Sequence, residues 1–450
     1  MRSKLVFAGV ILLLFLMGIA AGSIVYSAVL LATWLNYAII NQWLPFAMVV
    51  IIVILTVVTG YFTARFISQC RMNEIPQLKE SEILPITVII PALNEERTIV
   101  KCVDSIMAAD YPRDKLEVII AYEVPPRCTD STPALALQLA KKYPQVKPAP
   151  NDNGHSGSKA GAINNSLGLA KGTIIGIYDA DHTIENSALL RVSAQFSMHP
   201  DLDCLGGKVT IRDINYNWFT ALIGNECTVL NNFSRYISQL FTGRHMVYGS
   251  NLFIKKDVLE KIGGFDEASL TEDCDLGMKL TFGNYNMMID YSIKSYEQPA
   301  ITVRDWWHQR VRWTWGGISV LRKYQKPEAS GGNLERKRIK TFLLYSLGTT
   351  GILFSIVLMG FVGFMLYMNM MTPLILLLSA APLAVLFAAE SIADFCEGRG
   401  SVRDMAISIF IRPFIIYVYS LVGVYAIVME ALNRERVWHP NQRMEDSKSS

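Results

Sequence analysis

Apolar and polar positions fall into two regimes along the chain. Residues 5–33, 43–63 and 341–369 contain no charged residue, and further apolar runs cover about 372–393 and 405–430. About 18 consecutive apolar residues suffice to cross a bilayer, so these runs are expected to be membrane spans. Between them, 66–338 mixes charged and apolar residues as a globular domain does. The expected organisation is two N-terminal transmembrane helices in 1–65, an extramembrane domain in 66–338, C-terminal transmembrane helices in 339–433 and a basic polar tail in 434–450.

Within the insert the pattern alternates strand and helix. "PITVII" (85–90), "KLEVIIAYE" (115–123) and "TIIGIYD" (173–179) are short β-branched runs of the buried type. Helical patterns occupy about 95–108, 132–142 and 157–170. Continuous apolar strands alternating with helices predict an α/β fold with a mainly parallel sheet covered on both faces. Ligands bind such sheets beyond the carboxyl ends of the strands, so the residues just after each apolar run matter most.

Charge sets the orientation. Arg2 and Lys4 precede the first run, Arg65 and Arg71 follow the second, and the connecting "TWLNYAIINQ" carries none. The positive-inside rule then puts the insert in the cytoplasm, with the protein in the plasma membrane. The first run reads as a retained anchor, because it continues past "GIAAGS" (18–23) and a second span follows at once. The seven cysteines (70, 102, 128, 204, 227, 274, 396) show no zinc or disulfide spacing and are expected to be free thiols. Lys and Arg nearly balance Asp and Glu, 42 against 39, and no nucleic-acid partner is expected. At the C-terminal end, Arg434, Arg436 and Arg443 are compatible with two arrangements. Either the tail is external, or one segment lies in the interface. Arg412-Pro413 interrupts the last run, and an arginine at bilayer depth usually faces protein or a water-filled path.

The strand ends are chemically loaded. "PALNEE" (91–96) follows the first strand, Glu123 and Asp130 the second, and "DADH" (179–182) the third. Asp179 and Asp181 point to opposite faces if the strand stays regular, but reach one ion if the chain turns there. Hard carboxylate oxygens and a diphosphate partner would suit Mg²⁺ or Mn²⁺. "GHSGSKAGAIN" (154–164) places small residues and Lys159 before a helix, a spacing equally compatible with a plain turn and with a phosphate site. In "SLTEDCDLG" (269–277), Thr271 can cap a helix whose first turn carries Glu272, Asp273 and Asp275. Asp273 is the expected general base.

"HQRVRWTWGG" (308–317) is either an aromatic collar at the membrane or a binding site. With 304–323 helical, Gln309, Arg312, Trp313 and Gly316 share one face at i, i+3, i+4 and i+7. Trp307, Val311, Thr314 and Ile318 take the opposite face. A guanidinium, a flat ring and an amide on one stripe favour a site for phosphate and sugar, leaving Trp307 and Trp315 as possible interface anchors.

The order "PALNEE", "GSKAGAIN", "DAD", "GSN", "GGFDE…TED" and "QRVRW" resembles the membrane-integrated family-2 glycosyltransferases, the synthases of cellulose, chitin, hyaluronan and poly-N-acetylglucosamine. The resemblance covers about 85–325. It implies a GT-A-type cytosolic domain inserted between transmembrane helices, with a nucleotide-sugar donor, usually linked to UDP. Ala92, Asn94 and Glu96 would line the nucleoside pocket, and Lys159 would contact the diphosphate. Asp179 and Asp181 would hold the donor and its metal, while Gly249, Ser250 and Asn251 would approach the acceptor. Glu272 and Asp273 of "TED" would be the catalytic pair, with Asp273 the base, and Gln309, Arg312 and Trp313 would form the Q-x-x-R-W motif. One departure stands out: where many relatives have an Asp-Asp-Gly-Ser-like turn whose acid recognises uracil, this chain has "AYEVPPRCTDST" (121–132), with Glu123 as the substitute.

The reaction implied is inverting transfer in one displacement from UDP-GlcNAc or UDP-Glc. The leading expectation is a processive synthase elongating a β-linked polysaccharide and moving it across the membrane, with Arg412 lining the path. The alternatives are transfer of one sugar to a membrane lipid, giving a glycolipid, and a non-catalytic membrane subunit. No oligomeric state is implied.

Overall fold

The computed structural model describes residue 50 and residues 53–69, 78–151, 157–224, 226–243, 247–324, 381–396, 401–432, 434 and 444. The expected spans at 5–33 and 341–369, and most of 372–393, lie outside these residues. The chain divides into two compact units: Met1–Val58 with Phe361–Pro382, and Thr59–Gly360 with Leu383–Ser450. Nearly all of the first lies outside the described residues, so the account below concerns the second.

Its centre is an eight-stranded sheet in the order β3-β2-β1-β4-β7-β6-β8-β5. The strands are β1 (Ile86–Ala92), β2 (Leu116–Glu123), β3 (Val146–Asn151), β4 (Ile174–Ile177), β5 (Thr183–Ile184), β6 (Cys204–Ile211), β7 (Leu252–Lys255) and β8 (Met287–Glu297). The described helices are α1 at 53–69, α2 (Ile99–Met107), α3 (Thr132–Lys142), α4 (Lys159–Leu167), α5 (Ala188–Met198), α6 (Trp218–Ile223), α7 (Glu226–Thr242) and α8 (Lys256–Lys261). They continue with α9 (Glu272–Phe282), α10 (Val303–Tyr324), α11 (Ala381–Cys396), α12 (Val402–Phe410) and α13 (Ile415–Ala431).

The alternation of side chains along β1 and β2 explains the layering. Ile86, Val88, Ile90, Val118 and Ile120 join the core cluster that holds Ile99, Val103 and Ile106 of α2. Their neighbours Ile89, Ile119 and Ala121 join the opposite cluster, with Ala160 and Ile163 of α4 and Leu276 of α9. Each fully buried aliphatic side chain contributes about 1.5–3 kcal/mol of transfer free energy. Both faces are covered, which is why these strands read as unbroken apolar runs.

The sheet is mainly parallel, as expected, with β8 parallel to β6 and only β7 and β5 reversed among its eight strands. β3, β2, β1 and β4 run parallel, but β7 is antiparallel to β4 and β6, and β5 is antiparallel to β8. The order reverses at β1, whose neighbours β2 and β4 lie on opposite sides. That makes the carboxyl ends of β1 and β4 a topological switch point, where such sheets bind ligands.

No single helix among the described residues is long and apolar enough to cross a membrane. Val402–Phe414 and Tyr417–Ala431 meet that test only together, bent by 43°. The bend falls at the 3₁₀ turn Arg412–Phe414, where the sequence breaks the apolar run. Among the described residues Arg412 faces protein and no open path. Its buried guanidinium donates to Ala221 O at 3.0 Å, Leu222 O at 3.2 Å and Ser408 Oγ, satisfying carbonyls at the end of α6. Gly224, at φ +48°, leaves room for it: a Cβ there would lie 2.0 Å from Arg412 Nη2.

Candidate active site

β4 stops at Ile177 and the chain turns, with the His182 N–H donating to Asp179 O at 3.0 Å. The turn brings Asp179 and Asp181 to one place, as the second of the two sequence geometries required. Ligand atoms of Asp179, Asp181 and His182 lie within 4.8 Å of one another. Two carboxylates and an imidazole fit a divalent cation. His182 is a candidate ligand that the sequence reading did not single out, although it directly follows the acidic pair. It is 1% exposed. Burial disfavours its imidazolium, but the carboxylates of Glu297, Asp181 and Asp179 outweigh this and hold its pKa above the ordinary value.

Lys159 opens α4 behind the N-cap Ser158, whose Oγ accepts from Gly161 N. Its ammonium lies 2.5 Å from Asp179 Oδ1 and 3.5 Å from Glu272 Oε1, and donates to Gly249 O at 2.8 Å. Burial opposes its charge, but Asp179 and Glu272 raise its pKa further, so it is a fixed cation. Residues 152–156, including most of the glycine-rich stretch before it, lie outside the described residues.

Gly249 is the meeting point of the site. A Cβ there would lie 2.8 Å from Lys159 Nζ, 3.2 Å from Glu272 Oε1 and 3.3 Å from Asp273 Oδ2. Ser250 Oγ accepts from Asp179 N at 3.0 Å and so pins the turn. Asn251 faces away from it: at φ 52° and 1% exposed, it accepts from Tyr178 and donates to the carbonyls of Lys208 and Ile293.

Asp273 sits in the first turn of α9. Burial and the Glu272 carboxylate push its pKa up to about 6, while Lys159 and Arg312 pull the other way. Thr271 occupies the N-cap position but makes no capping hydrogen bond, contrary to expectation. It packs instead against Gly316 of α10, where a Cβ would lie 2.4 Å from Thr271 Cγ2. Gly316 therefore allows the two helices that carry Asp273 and Arg312 to approach.

α10 spans Val303–Tyr324, within a residue of the expected bounds. Gln309, Arg312 and Trp313 are half-buried, whereas Arg310, Val311 and Thr314 are buried. Arg310 is the hub that the sequence reading missed. It donates to Glu226 at 2.7 Å and to Tyr419 at 2.8 Å, and also to Gln309. Its guanidinium lies 4.5 Å from the ring centroid of Trp313. Trp315 is not an interface anchor: it is buried and donates to Glu430 at 2.7 Å. Trp307 packs beside Tyr425.

The β1 and β2 loops are stitched together. Asn94, at φ 57°, accepts from Thr129 N at 2.8 Å, Glu96 accepts from Ser131 N at 3.0 Å, and Asp130 accepts from Glu96 N at 3.0 Å. Ala92 ends β1 and is buried. Glu123 is 3% exposed and its two oxygens accept from Asn151 at 2.6 Å and Arg127 at 3.2 Å. Both oxygens already have protein donors, so this carboxylate differs from an acid open to a base edge.

Comparison with known proteins agrees with this picture. Residues 174–390 match the family described as Glycosyl transferase family group 2. The chain is 32% identical to a beta-monoglucosyldiacylglycerol synthase of Synechocystis over 53% of this chain and 49% of that protein. It thus spans about half the length of that relative. It is 25% identical to the poly-beta-1,6-N-acetyl-D-glucosamine synthase of Staphylococcus aureus, over 58% of this chain and 61% of the other. In fold it resembles a mannosyltransferase of Pyrobaculum calidifontis, solved with GDP-Man and Mn²⁺. The TM-score is 0.52 at 19% identity, covering 86% of this chain and 99% of that one. The chain carries a glycosyltransferase family 2 domain with a GT-A-like α/β fold.

Proposed function

We propose that the protein transfers a single sugar, with inversion, from a UDP-sugar to a hydroxyl of a membrane lipid. The observation that carries it is the pairing around Gly249: a half-buried carboxylate with a pKa pushed up to about 6 lies across from a fixed lysine and an acidic pair. A base poised near the working pH suits deprotonation of a hydroxyl.

In this reading Asp273 accepts the acceptor's proton as its oxygen bonds to the anomeric carbon. The bond from that carbon to the diphosphate oxygen breaks in the same step. Lys159 and Arg312 carry positive charge toward the departing diphosphate. Asp179, Asp181 and His182 would hold Mg²⁺ or Mn²⁺, which supplies Lewis-acid stabilisation of the leaving diphosphate. Ala92, Asn94 and Glu96 frame the nucleoside end, with Glu123 behind them. Ser250, Gln309 and Trp313 line the acceptor side, Trp313 held flat by Arg310.

A lipid acceptor is favoured over a growing polysaccharide by the name of the Synechocystis relative, a glucosyldiacylglycerol synthase at higher identity than the poly-N-acetylglucosamine synthase. It is also favoured by α12, which is amphipathic the wrong way round for a water-facing helix. Asp404, Ser408 and then Arg412 turn inward, while Val402, Ile409, Phe410 and Ile411 are exposed. We assign this face and the apolar runs of the sequence to the plasma membrane, with the catalytic domain on its cytoplasmic side.

The test supplies full-length protein with Mn²⁺, a panel of labelled UDP-sugars and vesicles with or without diacylglycerol. Label moving into the lipid extract only with diacylglycerol supports the reading. Label in a water-soluble polymer regardless of that lipid would favour the processive alternative.

A further inference from the structure

Asp275 sits two residues after Asp273 on α9 and is fully buried. Its Oδ1 lies 2.5 Å from Lys323 Nζ, near the end of α10. Its Oδ2 makes no hydrogen bond, and Lys279 stands 3.8 Å from it. Lys323 is thus the close counter-charge of a carboxylate shielded from solvent. The same ammonium donates to Asp266 Oδ2 at 2.8 Å. Asp266 belongs to the loop before α9, which Asn164 of α4 grips. The Asn164 side chain accepts from Phe265 N and donates to Phe265 O and Glu267 Oε1. One lysine therefore ties α10 to the helix of Asp273 and to a loop fastened to α4, the helix that Lys159 opens.

Spacing along α10 defines what this tie controls. Lys323 lies eleven residues beyond Arg312, about three turns of 3.6 residues, so the two share a stripe with Gly316. That stripe runs along α9: Arg312 bears on Asp273, Gly316 packs on Thr271, and Lys323 reaches Asp275. Val320 and Tyr324 pack with Cys274 and Met278, and the Tyr324 ring stacks on Phe282 at 5.3 Å. Apolar burial is non-directional, whereas a buried charge pair is costly to pull apart and so holds one register of the two helices.

We propose that Lys323 and Asp275 are positioning residues, whose pair sets the register of α10 along α9 and thereby places Arg312 and Trp313 against Asp273. This rests on the reading of Asp273 as the base. The test measures transfer by full-length protein from UDP-glucose, with Mn²⁺ and diacylglycerol vesicles, alongside the melting temperature. Lys323→Met should lower kcat about 10- to 100-fold with little change in the KM for UDP-glucose. Asp273 is faced by Glu272 on its own helix, Lys159 of α4 and Arg312 of α10, and Arg312 favours its ionised form. Lys323→Met should therefore move the acid limb of the pH–rate profile to higher pH, and move it no further in an Arg312→Ala background. A pair that served stability alone would leave that limb in place. The double variant Asp275→Asn with Lys323→Met removes both charges. It should recover the melting temperature lost by Lys323→Met alone, yet keep the low kcat and the shifted limb. Wild-type kcat and acid limb in Lys323→Met, or their return in the double variant, would overturn the proposal and leave Asp273 as the base. An Asp273→Asn variant as fast as the wild type, or no transfer by the wild type, would overturn the functional reading and this proposal with it.

Discussion

Asp273 decides how the site depends on pH. Its pKa of about 6 lies above the ordinary carboxylate value, because burial and Glu272 oppose its charge. A base works deprotonated, so the rate should fall as pH drops through about 6 and level off above it. Arg312 favours the ionised form, so Arg312→Ala should move this acid limb to higher pH, which a pH–rate profile would show. Asp273→Asn should lower turnover by about 10²–10⁴-fold with donor binding retained in a titration. The same shift has a stability sign. A folded-state pKa above the unfolded one gives stability that is complete below about 4 and lost as pH rises through about 6. Asp273→Asn should therefore be more stable than the wild type at pH 8, by on the order of 1–3 kcal/mol, keep roughly half of that advantage at pH 5 and lose nearly all of it below about pH 4. Gly249→Ala would crowd Lys159, Glu272 and Asp273 together, and its transfer rate should fall without loss of fold.

Among the elements, α10 binds the site to the C-terminal helices. Glu226 accepts from Trp306, Arg310 and Tyr419, joining α7, α10 and α13 through one buried carboxylate. Removing one partner of a buried pair leaves an uncompensated charge costing about 3–5 kcal/mol. Glu226→Gln should accordingly lower the melting temperature by several degrees and release Trp313, readable as weaker acceptor binding at unchanged donor affinity. On α12, Phe410→Asp should reduce sedimentation with vesicles while the melting temperature holds. These elements also show what local pattern conveys. The 3.6-residue periodicity gives α3 and α10 almost to the residue. β3 escapes because Pro148 and Pro150 read as loop, and an edge strand tolerates them. β8 escapes because Asp290, Ser292 and Lys294 interrupt its apolar pattern. Asp290 and Ser292 are satisfied by Gln195 and Arg191 of α5, partners nearly a hundred residues away.

For the whole molecule, the switch point between β1 and β4 explains why residues from 92 to 313 converge. Asp179, Asp181 and Asp273 stand out in the sequence because strand ends and a helix start announce them, whereas the spacing around Lys159 fits a plain turn equally well. His182 and Arg310 do not stand out, since each acts through contacts made only after the sheet closes. The acceptor separates the two readings of the resemblance, polymer or lipid, because the catalytic geometry serves both. The most direct measurement is the mass of the product formed from diacylglycerol vesicles, UDP-glucose and Mn²⁺. The account predicts a lipid heavier by one hexose, absent with Asp273→Asn. A ladder of longer products, or unmodified lipid beside free polymer, would contradict it.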